Sequence, residues 1–466
     1  MRFLHSFSLR LGSEGVVFAA ALGNQILISR MLGPEGMGHY KILATTVMLL
    51  VVAFGEAIGR SNAYLVGGDP KSLAPLSTNT VFYGMAVGVV LSGIFLFGAF
   101  FSLWPDRGGR SIMWFLAFLV VAATVLYRGL QMLFLGLERM GVYNVLPAFF
   151  ALVYLIGNGI ALKGIGGGLV GVMTSWAIAG TLAFLLAYRL LKRMSDKKPQ
   201  STQKPCRGAK GQGSWRALPC SPAPLLPCCS PLWRKCVRSI GGSLDGRLFI
   251  HSMRLGFRAM WISLLLVLLF RVDIYLVDHF LGEVATGVYS IAIVFAEMLQ
   301  KIPNVAGTVL FSKIAGGVRE EEDRLTARVS RSILAITVVA AGGIALVGGW
   351  LTPFLFGAEF EGAYLPLLCM LPGVLAMASG SVVNTNLWAR GYPLPAVIAP
   401  IAAVCTNLAL NVFLIPKIGL IGAGLAKTVA YVLWAGLLFG YFATHASLSV
   451  RELVVIRRSD FVLRTP

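Results

Sequence analysis

Long apolar segments dominate the chain and predict an all-α, polytopic membrane protein. A helix that rises 1.5 Å per residue needs about 20 apolar residues to cross about 30 Å of hydrocarbon. A membrane β-barrel would instead show roughly 10-residue segments of alternating polarity. Continuously apolar segments of helical length recur about twelve times, at residues 12–32, 40–62, 76–101, 111–136, 142–162, 167–190, 253–277, 285–310, 331–352, 363–388, 394–414 and 421–444.

A polar interruption divides these segments into two sets of six. We therefore expect an N-terminal lobe over 1–194, a linker over 195–247, a C-terminal lobe over 248–445 and a cytoplasmic tail over 446–466. Residues 192–238 hold 11 basic residues and one acidic residue, so they carry +10 of the chain's +20. High charge with low hydrophobicity predicts a disordered linker.

Five of the seven cysteines lie in this linker: Cys206, Cys220, Cys228, Cys229 and Cys236. They form no Cys-x-x-Cys pair and have no neighbouring histidine, so the spacing typical of a zinc site is missing. We interpret them as reduced thiols and predict no metal site and no cofactor.

Composition and charge set the class and the orientation. Only 13% of residues are charged, against about 25% in soluble domains, which excludes a soluble enzyme. With the linker in the cytoplasm, its face of the membrane also holds Arg2, Arg10, Lys71, Arg139, Lys313, Arg319, Arg324, Arg328, Arg331, Arg390, Arg451, Arg457, Arg458 and Arg464. The opposite face holds six: Arg30, Lys41, Arg107, Arg110, Lys163 and Lys417. This excess predicts a multi-pass protein of the cytoplasmic membrane with both termini inside.

The two halves contain an internal repeat. Residues 32–40 (LGPEGMGHY) match residues 281–289 (LGEVATGVY) without a gap, and residues 165–169 match 421–425 at the last span of each half. Both halves have an even number of spans, so the repeats share one orientation, and a site between them near the midplane is typical of secondary transporters. The candidate turn residues are Gly33, Gly38, Tyr40, Gly282, Gly287 and Tyr289.

The turn at 32–40, the segment DIYLVDHFLG at 273–282 and the segment NLALNVFLIPKIGLIGAG at 407–424 resemble bacterial polysaccharide biosynthesis flippases of the O-antigen, repeat-unit type. These belong to the multidrug/oligosaccharidyl-lipid/polysaccharide exporter superfamily. The resemblance covers both lobes but not 195–247. It implies two six-helix lobes that form a V-shaped cavity. It also implies that undecaprenyl-diphosphate-linked sugar units move from the inner to the outer leaflet by alternating access, for surface polysaccharide export.

Ionisable residues within the spans are candidate functional residues because each costs at least a few kcal/mol in hydrocarbon. A cavity lined with Arg and Lys would compensate a diphosphate for its lost hydration. The cationic candidates are Arg60, Arg128, Arg271, Lys301 and Lys427, and the ion-coupling or gating candidates are Glu56, Asp273 and Glu297. One of these three acidic residues would bind a coupling H⁺ or Na⁺.

Internal pairing is the alternative interpretation of these charges. Glu56 and Glu297 each lie four residues before a basic residue, Arg60 and Lys301, which is the spacing of helical ion pairs. Arg271 and Asp273 form a third candidate pair. Paired charges would serve helix packing or gating in place of substrate binding.

Three other functions remain to be compared with the flippase. A multidrug/cation antiporter of the same superfamily needs acidic cavity groups, and the excess of basic residues within the spans disfavours it. A membrane glycosyltransferase or polymerase needs a loop with paired carboxylates, which the basic linker lacks. Basic residues spread over one membrane face disfavour a nucleic-acid binder. The expected partners are a polyprenyl-diphosphate-linked glycan, membrane lipids, and a polysaccharide polymerase and glycosyltransferases.

Overall fold

The computed structural model describes residues 2–100, 110–196, 244–314, 319–389, 394–446 and 449–455, and these residues are helical without any β-strand. Nine of the described helices are long and apolar enough to cross a membrane, which confirms the all-α polytopic class. The helices are α1 (Arg2–Gly68), α2 (Leu73–Phe100), α3 (Arg110–Gly136), α4 (Met140–Gly159), α5 (Gly168–Asp196), α6 (Gly246–Ile314), α7 (Arg319–Phe356), α8 (Tyr364–Ala389), α9 (Pro395–His445) and α10 (Val450–Val454).

Three helices are interrupted by glycine. Gly33, Gly282 and Gly419 have φ values of 66°, 81° and 61°, a backbone conformation that residues with a Cβ rarely adopt. We therefore divide α1 into α1a (2–32) and α1b (34–68), α6 into α6a (246–281) and α6b (283–314), and α9 into α9a (395–417) and α9b (420–445). These divisions support the expected twelve spans and two lobes, which stay predictions.

The glycine interruptions are tighter than the sequence pattern suggests. We expected a turn over residues 33–39 between the first two spans, but α1b begins at Pro34, directly after Gly33. Proline is well placed there because the first helical position needs no N–H donor and its fixed φ suits a helix. The residues between Gly33 and Tyr40 are therefore helical.

The two halves of the chain, α1–α5 and α6–α10, meet along α1b and α6a. Hydroxyl pairs join the antiparallel helices at Thr46–Tyr275 (2.7 Å) and Ser61–Ser252 (2.5 Å). A Cβ built on Gly256 would lie 1.8 Å from the carbonyl oxygen of Ala57, so only glycine permits this approach. Close packing here holds the two halves together along these helices.

One hydrophobic core crosses the boundary between the halves. It joins Ile28 and Tyr154 of the N-terminal half with Phe295 and Trp434 of the C-terminal half. Two further clusters lie within the N-terminal half, around Leu133 and around Val120. The halves are therefore packed as one body through a shared core.

Much of the predicted linker and tail lies outside the described residues, namely 197–243 and 456–466, with all five linker cysteines. The described tail includes α10, which begins with a capping box formed by Ser449 and Glu452. Arg331 of α7 donates a hydrogen bond to the carbonyl oxygen of Glu452. The start of the tail is therefore a helix docked on α7. The division of the chain into lobes, linker and tail stays a prediction.

Candidate functional site

A cavity of about 200 Å³ lies where the two halves face each other. Arg271 precedes Gly282 by eleven residues and Glu297 follows it by fifteen. At 1.5 Å per residue these positions lie about 16–22 Å from the turn, near the middle of about 30 Å of hydrocarbon. The lining residues are Met48, Phe270, Arg271, Ile293, Ala296, Glu297, Gln300, Lys301, Asn304, Lys427 and Tyr431.

Arg271 and Glu297 form an ion pair on the wall of this cavity. Their closest atoms, Nη2 and Oε1, lie 2.5 Å apart, and the side chains are 13% and 36% exposed. The Nε atom of Arg271 is buried and has no hydrogen-bond partner among the described residues. Arg271 therefore has a donor left for a ligand, while its carboxylate partner is accessible from the cavity.

Asp273 and Lys427 form a second pair that is more deeply buried. Lys427 Nζ lies 2.7 Å from Asp273 Oδ2 and 3.0 Å from the carbonyl oxygen of Phe270, and the two charged side chains are 3% and 0% exposed. The hydroxyl of Tyr289 donates to the same carboxylate oxygen. Buried charges persist when they are paired and hydrogen-bonded, so this pair holds α9b against α6a.

Lys41 is a basic residue of this site that our sequence analysis missed. We assigned it to the outer face, at the start of the span 40–62, but α1b continues through it and buries its side chain to 4% exposure. Arg271, Glu297 and Lys427 all act on it electrostatically. The repeat contained a signal for this burial. Tyr40 aligns with Tyr289, so Lys41 aligns with Ser290, which lies well inside the predicted span 285–310.

The net charge of the site is positive. Four basic residues, Lys41, Arg271, Lys301 and Lys427, stand against Asp273 and Glu297, which leaves a formal charge of +2 in and beside the cavity. An anionic group entering here gains charge-assisted hydrogen bonds from donors that are already in place. The site therefore suits an anionic ligand.

Two of the predicted ion pairs have different partners in the structure. The alternative interpretation paired Arg271 with Asp273 and Glu297 with Lys301. Residues two apart on a helix, however, do not face each other. Arg271 instead meets Glu297 and Asp273 meets Lys427. Lys301 lines the cavity beside Glu297, one turn along α6b.

Glu56 and Arg60 form the pair that their spacing suggests, with Oε1 and Nε 2.5 Å apart. Arg60 also donates to Ser263 Oγ at 3.4 Å and lies 5.6 Å above the ring of Trp388. It therefore links α1b to α6a and α8, and neither member of the pair lines the cavity.

Arg128 lies on α3 with an exposed side chain, away from the residues that line the cavity. The structure therefore places it and Arg60 apart from Arg271, Lys301 and Lys427. Its exposure shows that an arginine within a predicted span need not face the cavity.

The turn motifs pack against each other in a reciprocal way. A Cβ on Gly38 would lie 2.0 Å from the carbonyl oxygen of Glu283, and a Cβ on Gly287 would lie 1.9 Å from that of Pro34. Pro34 aligns with Glu283 in the repeat as Gly38 aligns with Gly287. The two contacts are thus equivalent, as expected for repeats related by an approximate two-fold axis.

Sequence comparison finds similarity between parts of the chain and glycan biosynthesis proteins. The model of a family described as polysaccharide biosynthesis protein matches residues 226–365, which includes the end of the expected linker. A probable low-salt glycan biosynthesis flippase, Agl15 of Haloferax volcanii, is 22% identical over 180 residues. The match covers 38% of this chain and 38% of the relative, so the chain spans about two fifths of that relative's length.

Solved structures share the fold over nearly the whole chain. The lipid II flippase MurJ in an inward closed conformation matches with a TM-score of 0.68 at 14% identity, over 96% of this chain and 89% of that one. An inward-facing multidrug resistance MATE family transporter of the MOP superfamily matches with a TM-score of 0.67 at 12% identity, over 95% and 98%. A MOP superfamily transporter from Pyrococcus furiosus, described as having a binding pocket of reverse polarity, matches with a TM-score of 0.59 at 13% identity, over 95% of each chain.

Proposed function

We propose that this chain moves a lipid-linked oligosaccharide across the membrane. The similarities to polysaccharide biosynthesis proteins and flippases support this proposal. The substrate is a polyprenyl-diphosphate-linked repeat unit, of the undecaprenyl type, carried from the inner to the outer leaflet for surface polysaccharide export. The chain acts as a transporter and not as an enzyme. It lies in the bacterial cytoplasmic membrane with both termini inside.

The observation that carries this proposal is the cationic cavity. A diphosphate headgroup brings several anionic oxygens into hydrocarbon, where their hydration must be replaced. Arg271 and Lys301 both line the cavity, and the local formal charge is +2. The planar guanidinium fork of arginine suits two phosphate oxygens at once. This chemistry selects the headgroup and does not depend on which sugar follows it.

The lipid tail has an apolar route beside the cavity. A second pocket of about 90 Å³ lies between α1a and α6b, lined mainly by apolar side chains such as Phe18, Leu22 and Met298, with Glu297 and Lys301 at its polar side. Glu297 and Lys301 border both pockets. The diphosphate then occupies the cationic cavity while the polyprenyl chain extends between the two helices toward lipid.

Entry of the headgroup exchanges one partner of Arg271 for another. Glu297 is accessible from the cavity and holds the guanidinium by its Nη2 atom. A phosphate oxygen that takes its place frees the Glu297 carboxylate, which then takes up the coupling H⁺ or Na⁺. Asp273 remains bound to Lys427 and Tyr289 and serves the structure of the C-terminal half.

The test compares Arg271→Ala with Arg128→Ala, which removes an arginine of the same type from an exposed position on α3. Cells with Arg271→Ala should lose surface polysaccharide and accumulate lipid-linked repeat units on the cytoplasmic leaflet. Cells with Arg128→Ala should resemble the wild type. Normal polymer with Arg271→Ala at normal protein levels would contradict the cationic-cavity proposal.

A multidrug/cation antiporter is the second candidate, because MATE transporters share the fold over 95% of the chain and one carboxylate, Glu297, lines the cavity. Deletion of the gene separates the two functions. The flippase predicts a defect in surface polysaccharide, whereas the antiporter predicts greater sensitivity to cationic drugs with normal polysaccharide. Loss of the lipid-linked sugar itself would favour an enzyme. A polymerase and glycosyltransferases are the proposed protein partners.

A further inference from the structure

Three metal-ligating side chains meet where the two turn motifs pack. His39 Nε2 lies 2.7 Å from Glu283 Oε1. Glu35 lies one helical turn before His39 on α1b, and one ligand atom from each of the three residues lies within 4.8 Å of the other two. The group lies at the turn end of α1b, where His39 precedes Lys41 by two residues and the cavity-lining Met48 by nine.

The fold itself brings these three residues together. Residues four apart on a helix share a face, so Glu35 and His39 point in the same direction. Gly38 allows the backbone of α1b to approach the carbonyl oxygen of Glu283, and this approach carries the Glu283 side chain to His39. Two ligands therefore come from the N-terminal half and one from the C-terminal half.

The imidazole nitrogen that faces this group is buried. His39 Nε2 is a buried atom without a hydrogen-bond partner among the described residues, although Glu283 lies 2.7 Å away. The Glu283 carboxylate is therefore in contact with the imidazole without forming an aligned hydrogen bond. An imidazole nitrogen that is buried beside two carboxylates matches the donor set that divalent transition metals prefer.

Packing of the turns does not require these polar residues. In the repeat, Glu35 aligns with Val284, His39 with Val288 and Glu283 with Pro34. The equivalent contact on the other side of the approximate axis therefore has apolar residues at these positions. Gly287 still packs against the carbonyl oxygen of Pro34 there. The polar set on one side is an addition to the repeat and calls for a separate explanation.

We propose that Glu35, His39 and Glu283 bind a divalent transition-metal ion of the Zn²⁺ type, which links the two halves of the chain. Two carboxylates balance the charge of the ion, and a water completes a tetrahedral site. Donors about 2.0–2.1 Å from such an ion lie roughly 3.3 Å apart. The exposed side chain of Glu35 closes the remaining gap by a shift of about 1 Å. This site is independent of the proposed transport function.

The ion has a defined effect because its ligands come from both halves. It binds fully only while α1b and α6b are in contact at the turn end, so it stabilises that arrangement by mass action. Metal should therefore raise the thermal stability of the chain and hold the turn end closed.

The first experiment is calorimetric titration of the purified full chain with Zn²⁺. His39→Ala and Glu283→Gln should each lose one binding equivalent or weaken it at least about tenfold, since even the loss of an outer-shell partner costs 10–100-fold. The matched control is Glu359→Gln, which removes another exposed carboxylate of the C-terminal half beside Gly33. Identical titrations of the wild type and His39→Ala would overturn the proposal.

The second experiment separates this site from the linker cysteines and from a folding defect. Co²⁺ bound by His and Glu gives no thiolate charge-transfer band, whereas cysteine ligands do. His39→Cys should restore the binding that His39→Ala loses and add a thiolate band in the difference spectrum between the two variants. Binding that is absent from His39→Cys, or a spectrum without the added band, would also overturn the proposal.

Discussion

The two halves of the chain have similar backbone geometry at their turns but carry different charged side chains. Both contain a glycine interruption of similar geometry, Gly33 and Gly282, and both pack a glycine against a carbonyl oxygen of the other half. Near the cavity, however, the C-terminal half supplies five of the six charged residues and the N-terminal half supplies only Lys41. At the turn end the balance is reversed, since Glu35 and His39 belong to the N-terminal half.

This difference shows what the repeat preserves. Backbone contacts that set the angle between the halves are retained in both copies, because a Cβ at either glycine would overlap a carbonyl group. Side chains that face the cavity do not carry that constraint, so each half is free to differ. The C-terminal half therefore carries most of the candidate binding chemistry, and the N-terminal half forms the facing wall.

The largest expected effect is on stability and comes from Asp273→Ala. The substitution leaves Lys427 buried at 3% exposure without its carboxylate, and breaking one side of a buried ion pair costs about 3–5 kcal/mol. Chemical denaturation of the purified protein measures the free energy of unfolding. The double variant Asp273→Ala/Lys427→Met should recover much of the loss, because it removes the uncompensated charge. No recovery would show that Asp273 acts through another contact.

A slightly smaller effect on stability tests whether the halves are equivalent at the turn. Gly38→Ala and Gly287→Ala place a Cβ 2.0 Å and 1.9 Å from a carbonyl oxygen, and overpacking of this kind costs about 1–3 kcal/mol. Both variants should lower the melting temperature by similar amounts. The control is Gly436→Ala, where the added Cβ meets no atom within 4 Å. A large difference between Gly38 and Gly287 would show that the two contacts are not equivalent.

The contribution of the N-terminal half to the cavity is tested by Lys41→Met, which keeps the length of the side chain and removes its charge. A partly buried charge at an effective dielectric constant near 20 contributes about 1–2 kcal/mol to a neighbouring anion. Transport of the lipid-linked unit should therefore fall roughly tenfold, measured as surface polysaccharide at equal protein levels. Arg30→Met, on α1a and exposed at the turn end, serves as the control. Unchanged transport in Lys41→Met would assign the cavity's binding chemistry to the C-terminal half alone.

The smallest effect is expected for Glu56→Gln. Its partner Arg60 is 36% exposed, and helical pairs of this kind contribute about 0.3–0.5 kcal/mol. Since neither residue lines the cavity, both the free energy of unfolding and transport should remain close to wild type. A strong transport defect with normal stability would show that this pair takes part in gating.

The sequence by itself determined the membrane class, the interruptions at Gly33 and Gly282 and the candidate Glu56–Arg60 pair. These features are local: the length of an apolar segment, the φ preference of glycine and the i,i+4 spacing all follow from the geometry of one helix. The gapless repeat also located the two turns that pack against each other.

Only the tertiary structure decided the partners of the buried charges. Arg271 with Glu297, Lys427 with Asp273 and the burial of Lys41 depend on how α1b, α6a, α6b and α9b are rotated toward one another. Those rotations are set by the packing of the whole bundle and leave no periodic signal in a single segment. For the same reason Arg128, which resembles Arg271 in the sequence pattern, lies away from the cavity, and Glu283 reaches His39 only across the boundary between the halves.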